Sequence, residues 1–234
     1  MTYSFILIII LLVSCEKRTG EIITEQRIIG GFNELVISDI FTIYINQDTT
    51  TSLKIEGGEN ILPQITTQIK DGILTLHNEN KQRWSRDYER VKIWLTVKEL
   101  GKIVCLEPAY IETTDTIYGK NLTIYALAGM NEGNMLLDYN YINFESSYTA
   151  GGKIFLSGRA DNLRIRCFNS FILDAKNLRA NKVEAVNKSI GDVFVHCLNE
   201  LDVQIYNDGN IFYRGTPGSI TADIEGNGRL IEME

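Results

Sequence analysis

The stretch YNDGNIFYRGTP, residues 206–217, decides the fold. Asn207-Asp208-Gly209-Asn210 is turn chemistry set between two short apolar-alternating runs, LDVQI and IFY. Read alone, it is the tip of a β-hairpin. A similar figure recurs in VNKSIGDVFV (186–195), in IEGNGRLI (224–231) and, more loosely, in YTAGGKIFL (148–156). The small or turn-forming residues Gly133, Gly152, Ser170, Gly191, Gly209 and Gly228 follow one another at separations of 19, 18, 21, 18 and 19. Such a period marks a repeat architecture. A meander of ten-residue hairpins would also repeat near twenty, but it prefers two-residue turns. The alternate connections here, SGRADN, DAKNLRAN, HCLNE and YRGTPGS, are longer and irregular. Equivalent small residues recurring once per turn are what parallel rungs place above one another. The expected fold is therefore an all-β, single-stranded parallel β-helix. Residues 206–217 then make one corner and one side of a coil, with Asn, Asp and Gly present because the corner needs φ > 0.

Composition agrees. Isoleucine occurs 32 times and alanine 9 times. Branched side chains suit pleated surfaces, and scarce alanine disfavours helix. The one helical candidate, Glu59–Leu62, is limited by Pro63. The first half reads as strands: LVIS, FTIYIN, SLKIEG, ITTQI, ILTLHN and VKIWLTV. Phe41, Ile43 and Ile45 alternate with Thr42 and Tyr44, which implies one buried face. Lys70-Asp71-Gly72 is a turn signal that pairs ITTQI with ILTLHN as a hairpin. The chain divides into an N-terminal β region with a basic loop (27–101) and regular rungs of about 19 residues (102–234), together one β-helix domain over 27–234.

Residues 1–14, MTYSFILIIILLVS, contain no charged side chain, and Ile6 to Val13 is unbroken apolar. This is too short to cross a hydrocarbon core of about 30 Å as a helix, but it suits a signal-peptide core. Leu12-Val13-Ser14-Cys15 follows, matching the bacterial lipobox, in which the cysteine is lipidated on sulfur and the chain is cut before it. The n-region, MTYS, departs from the usual pattern in having no Lys or Arg. The expectation is a lipoprotein signal over 1–14, lipidation at Cys15, a polar tether over 15–26, and a soluble domain held outside the cytoplasm at the outer membrane. Each buried methylene of an acyl chain is worth about 0.8 kcal/mol, so several chains on one cysteine hold a domain at a membrane.

Catalytic and metal signals are weak. His77 and His196 are the only histidines and stand in separate elements. Neither H-x-x-x-H, C-x-x-C nor G-x-S-x-G occurs, so no cofactor or metal is implied. Asp115, Asp138, Glu145, Asp161, Asp174, Glu184 and Asp202 are spread about one to a rung, as a solvated face would be. A glycan-active enzyme would need two of them roughly 5–10 Å apart, which stacking can supply. Cys167 and Cys197 are 30 residues apart, about one and a half rungs, and so fall on different sides. Cys105 and Cys167 are about three rungs apart, roughly 14 Å along the axis. All three are expected to be free and buried. The net charge of −7 argues against nucleic acid.

The most unusual local stretch is LHNENKQRWSRDYERVKIW (76–94). Between Lys81 and Lys102 it carries seven basic and three acidic residues, a local +4 on an acidic chain. Trp84 and Tyr88 stand there among Arg83, Arg86 and Arg90. Aromatic faces beside guanidinium groups suit sugar rings, anionic groups or a protein partner. These five residues are the candidate ligand-binding set. The competing reading is that Trp84 folds back to cap the end of the coil.

Gly31-Phe32-Asn33-Glu34-Leu35, then Phe41-Thr42-Ile43-Tyr44-Ile45-Asn46-Gln47, resemble the opening of the head GIN domain family, the putative auto-transporter adhesin group. Leu53-Lys54-Ile55-Glu56-Gly57, Glu59-Asn60-Ile61-Leu62-Pro63, Asp71-Gly72-Ile73-Leu74 and Val91-Lys92-Ile93-Trp94-Leu95-Thr96-Val97 follow in the family's order. Leu201-Asp202-Val203, Asp208-Gly209-Asn210-Ile211 and Tyr213-Arg214-Gly215-Thr216-Pro217 are similar to its closing rung. The resemblance spans roughly residues 28–231. It implies a right-handed single-stranded β-helix, often on a lipoprotein signal, with an adhesin-like role and no catalytic or binding residues to carry over. The family's Ser-Gly-Ser-Gly turns are mostly replaced here, as in Cys167-Phe168-Asn169-Ser170 and Asn187-Lys188-Ser189, so those rungs turn by other means. Taken together, the expectation is a membrane-anchored binding module of the bacterial cell envelope. Its partner would be an envelope glycan or another envelope protein, and a glycan-active β-helix enzyme is the alternative.

Overall fold

The computed structural model describes residues 19–80 and 90–234. It is a β-solenoid, and no α-helix occurs among the described residues. In chain order the strands are β1 (Ile22–Arg27), β2 (Glu34–Ile37), β3 (Phe41–Gln47), β4 (Ser52–Gly58), β5 (Ile65–Lys70), β6 (Ile73–Asn78), β7 (Val91–Val97) and β8 (Lys102–Cys105). They continue as β9 (Ala109–Thr113), β10 (Ile117–Ala126), β11 (Asn131–Ser146), β12 (Gly151–Ser189), β13 (Val193–Ile205), β14 (Ile211–Arg214), β15 (Ser219–Ile224) and β16 (Leu230–Glu232). The helical candidate is reduced to a single 3₁₀ turn, Leu62–Gln64, with Pro63 inside its first turn.

From β8 onward every neighbouring pair is parallel, and the register is continuous except between β12 and β13, where it shifts between Asp174 and Arg179 and again between Ala180 and Lys182. Thr123 lies beside Lys102 and Asn143, and Val193 beside Leu173 and Ile211. One turn therefore takes 17 to 22 residues. Strict alternation sends every second side chain into the coil, and register places like over like. Leu35, Ile103, Ile124 and Phe144 form one such inward column, each essentially without exposure. Burying a side chain of this size stabilises by about 1.5–3 kcal/mol, and the column extends through turn after turn.

The first half is not a separate region. β2 lies parallel between β6 and β8, and β3 lies parallel between β7 and β9. These strands are turns of the solenoid, but they are wound out of order. The chain first lays down β2 and β3, then builds an end, then returns as β6 and β7 on the outer side of β2 and β3. Only afterwards does it advance to β8. The intervening strands close that end in antiparallel fashion: β4 pairs with β7, β1 with β4, and β5 with β6. The β5–β6 hairpin turns through Asp71 (φ 51°) and Gly72 (φ 77°), the two positive φ values that a tight two-residue turn requires. β1 also takes up Ile22–Gln26, which the sequence reading assigned to the tether. The polar run pairs with β4 rather than hanging free, because an unpaired β4 edge would leave its backbone groups without partners. The opposite end is open. Ile220 and Ile224 continue the columns of Leu201 and Ile205, yet both are about half exposed.

At the corners one expectation is corrected. Gly209 does not have a positive φ. Glycine is required there by close approach: a Cβ on Gly209 would lie 2.1 Å from the Gly191 carbonyl oxygen and 2.6 Å from that of Ser189. Gly228 repeats this against Gly209, at 2.2 Å. The corners whose motif lacks the family glycines are instead stitched by side chains. Asn187 Nδ2 donates to the carbonyls of Gly191 (3.0 Å) and Asn210 (3.3 Å), and its Oδ1 accepts from the Ser189 N–H at 3.0 Å. Ser189 Oγ accepts from the Gly191 N–H at 2.8 Å and lies 3.0 Å from the carbonyls of Asn169 and Phe171. Asn187 and Ser189 are both fully buried, so each bond replaces one that water would otherwise make. Gly209→Ala is expected to destabilise the protein by about 1–3 kcal/mol, because stacked backbone has no room to yield. Gly218→Ala, whose Cβ meets nothing nearer than 3.7 Å, is the control and should melt as wild type. Thermal or denaturant unfolding measures both.

Candidate functional site

Among the sequence-predicted site residues, Cys15 and the set Arg83, Trp84, Arg86 and Tyr88 lie outside the described residues. Arg90 is described and exposed, immediately before β7. The second tryptophan, Trp94, which read only as a strand residue, is at the centre of what the structure assembles. It points outward from β7. Tyr44 of β3 stacks on it, with ring centroids 5.4 Å apart at 21°, and Lys54 Nζ of β4 sits 3.9 Å over its ring on the other side.

The stack belongs to a longer outward ladder. Register carries it from Lys54 to Trp94, Tyr44, Glu112, Asn134 and Phe155, across β4, β7, β3, β9, β11 and β12. Beside it, Tyr110 donates its hydroxyl to Glu112 Oε2 at 3.0 Å, and Asn134 Nδ2 reaches the same hydroxyl at 3.4 Å. Lys153 Nζ lies 4.6 Å over the half-exposed Phe155 ring. Next to Phe155 the face opens into a groove of about 240 Å³, bordered by Glu112, Asn134, Ser157, Asp174 and Asn177. Further along the same face, Phe194 and Phe212 stack at 4.9 Å and 11°. An outward aromatic face flanked by amide, carboxylate and ammonium groups can hold flat apolar rings and satisfy hydroxyls at their edges.

Most of the carboxylates singled out from the sequence serve ion pairs or hydrogen bonds, and of these Asp174 is buried. Asp138 is held by Arg159, Glu184 by Arg164 and Asp174 by Lys176. Asp161 accepts from Asn140 and Asn181. Glu184 and Asp202 stand opposite one another on neighbouring strands. Among the described residues no group of three or more His, Cys, Asp or Glu side chains is placed to hold a metal ion. His77 Nδ1 lies 3.2 Å from Ser38 Oγ. Cys105, Cys167 and Cys197 are free and buried; Cys105 stands in the column of Ala126 and Ser146, which runs on toward Cys167, so distance along the coil and not phase keeps these two apart. Burial pushes the Cys105 thiol up to about 12, and raises Cys167 and Cys197 as well. None of the three is a thiolate at neutral pH.

The order of strands, the antiparallel end and the closing rung at Tyr213–Pro217 point to one group of proteins, and a sequence comparison decides the matter. The family profile described as "putative auto-transporter adhesin, head GIN domain" matches residues 31–217. The chain belongs to that family. A putative adhesin from Bacteroides fragilis, known as a crystal structure, is 25% identical, with a TM-score of 0.83 over 91% of this chain and 97% of that one. A putative lipid binding protein and a putative adhesin, both from Parabacteroides distasonis, are each 18% identical. Their TM-scores are 0.68, over 92% of this chain and 98% of that one, and 0.67, over 93% and 99%, and these two attest to the fold. Curated proteins give no match.

The aromatic ladder escaped the sequence reading because its members lie at positions 54, 94, 44, 112, 134 and 155, an order set by the out-of-sequence winding. The available signal was the alternation that turned Tyr44 and Trp94 away from the core. As a check on the buried thiols, the native protein should be unreactive toward a thiol reagent at pH 8. A chain lacking residues 1–15 should expose three thiols on unfolding; fewer than three would mean a cross-link that the separation between turns forbids.

Proposed function

We propose that this adhesin-like domain is a membrane-tethered binding module of the bacterial cell envelope, and that its ligand is an envelope glycan lying along the outward Lys54–Trp94–Tyr44 ladder and the groove beside Phe155. The observation that carries this is the stacked, outward pair Tyr44 and Trp94 with Lys54 over it. Large rings are normally buried in a core, and here three strands contribute to keeping them on the outside. Sugar rings present C–H faces that stack on aromatic rings, and hydroxyls that pair with amides and carboxylates such as Asn134 and Glu112. The family's adhesin description supports the same reading. In sequence the basic segment 81–90, with Arg83, Trp84, Arg86 and Tyr88, lies between β6 and β7. They remain part of the proposed binding set.

The tether rests on Leu12-Val13-Ser14-Cys15 and on the position of β1. With β1 starting at Ile22, only a few residues separate Cys15 from the folded end of the solenoid. At about 3.4 Å per residue the domain stays within roughly 25 Å of the lipid surface. Cys15→Ala should move the protein from the membrane fraction to the soluble fraction; a variant still fully membrane-bound contradicts lipid anchoring. For the ligand, wild type and Trp94→Ala are compared on an array of envelope polysaccharides, with unfolding curves showing that the variant is folded. Removing such an anchor typically costs about 2 kcal/mol or more, over tenfold in affinity. Retained glycan affinity in folded Trp94→Ala, or capture of an envelope protein with no glycan bound, would count against the reading.

A further inference from the structure

Register also stacks cations, on a different part of the surface from the tryptophan. Arg179 of β12 stands beside His196 of β13, and His196 stands beside Arg214 of β14. Guanidinium groups gathered on one stretch of surface repel one another, and a solenoid of net charge −7 has ample carboxylates with which to relieve them. Elsewhere it does so. Arg159 holds Asp138, Arg164 holds Glu184 and Lys182 holds Glu200. Among the described residues neither Arg179 nor Arg214 makes an ion pair.

The arginine on one side is held in position. Arg214 Nε donates to His196 Nδ1 at 3.1 Å, and its Nη2 donates to Asn177 Oδ1 at 3.2 Å. A ring that accepts at Nδ1 carries its proton on Nε2, so the imidazole between the two guanidinium groups is neutral. Burial, and after it Arg214 and Arg179, lower the His196 pKa; a hydrogen bond to the Lys176 backbone opposes them. Asp174, which borders the groove, is engaged by Lys176. Asn177 borders the same groove as Phe155 and Ser157. Arg214 thus reaches back across β13 to the β12 strand that carries Arg179, and brings its guanidinium group to the same side of the groove. The two guanidinium groups flank a neutral imidazole at the edge of an open groove, and no carboxylate pairs with either of them.

We infer that Arg179, His196 and Arg214 form an oxyanion-binding column that takes a sulfate or carboxylate group carried on the ligand. Guanidinium forks match the oxygens of such groups in twos, whereas a neutral ligand leaves the column uncompensated. This deepens the glycan reading by naming the ligand as acidic, and it rests on that reading for the chain that bears the anion. The column itself is testable without it.

The full chain is titrated with sodium sulfate against sodium chloride at equal ionic strength, and the His196 ring and arginine Nε signals are followed by NMR. Sulfate should shift His196 saturably and raise its pKa, while chloride should not. Arg179→Gln and Arg214→Gln should each weaken the response at least tenfold. A second arm compares a sulfated oligosaccharide, a uronate oligosaccharide and an uncharged one of the same length. Wild type should prefer whichever charged form carries the recognised group by tenfold or more, and both arginine variants should lose that preference while keeping affinity for the uncharged form. Equal response to sulfate and chloride, or an unchanged preference in both variants, overturns the proposal. Loss of binding to every oligosaccharide in Trp94→Ala with the sulfate response intact leaves the column standing. No oligosaccharide binding by wild type, together with a saturable sulfate response, counts against the glycan and not the column.

Discussion

In-register parallel stacking is the constraint on which everything else in this structure depends. Once a residue must sit directly over its counterpart one turn away, its environment is inherited up and down the coil. Leu35, Ile103, Ile124 and Phe144 are buried because each caps the next. The same rule on the outside turns isolated side chains into ladders. Tyr44 and Trp94 stack because β3 and β7 are in register, and Arg179, His196 and Arg214 meet where β12, beyond a register shift after Asp174, pairs with β13 and β13 pairs with β14. A globular domain chooses its surface residue by residue. A solenoid chooses columns, and columns are what long ligands meet.

Stacking also sets the chemistry of the corners. Adjacent turns can approach to one strand spacing only if nothing projects between them, which is why Gly191, Gly209 and Gly228 recur, each pressed against backbone of the preceding turn. Where the chain lacks glycine, buried polar side chains substitute: Asn187 and Ser189 satisfy backbone groups that the bend leaves without ladder partners. Tyr139 belongs to the same logic. Its ring fits over Gly119, where a Cβ would stand 2.3 Å from it, and its buried hydroxyl donates to the Leu100 carbonyl at 2.8 Å. A neutral phenol in that hydrogen bond is kept from ionising by burial, which raises its pKa.

Much of this was legible in the sequence. The period of about 19, the alternation in FTIYIN and the Asp71-Gly72 turn identified the coil, its buried face and its one hairpin, because each is a local signal. Gly209 was recognised as necessary but for the wrong reason, since close approach across turns leaves no local trace. That β2 and β3 are turns of the same coil was not legible because their spacing to their partners is irregular: Glu34 pairs with Ile73 and Lys102, 39 and 68 residues away. Period analysis cannot see rungs separated by an inserted end. The binding face was hidden by the same insertion, which brings positions 54, 94, 44 and 112 together in an order that no sequence window contains.

The out-of-order winding therefore links the fold to the proposed site, and disulfide trapping tests it most directly. Three double-cysteine variants are made, at Tyr44 and Trp94, at Tyr44 and Glu112, and at Trp94 and Glu112. In-register neighbours lie within about 5 Å and can be bridged, whereas residues two strands apart lie near 10 Å and cannot. Because β3 lies between β7 and β9, the first two variants should cross-link on mild oxidation and the third should not. Cross-linking of Trp94→Cys with Glu112→Cys, and none at Tyr44→Cys with Glu112→Cys, would place β7 next to β9 in simple chain order. The assembled face would then not exist.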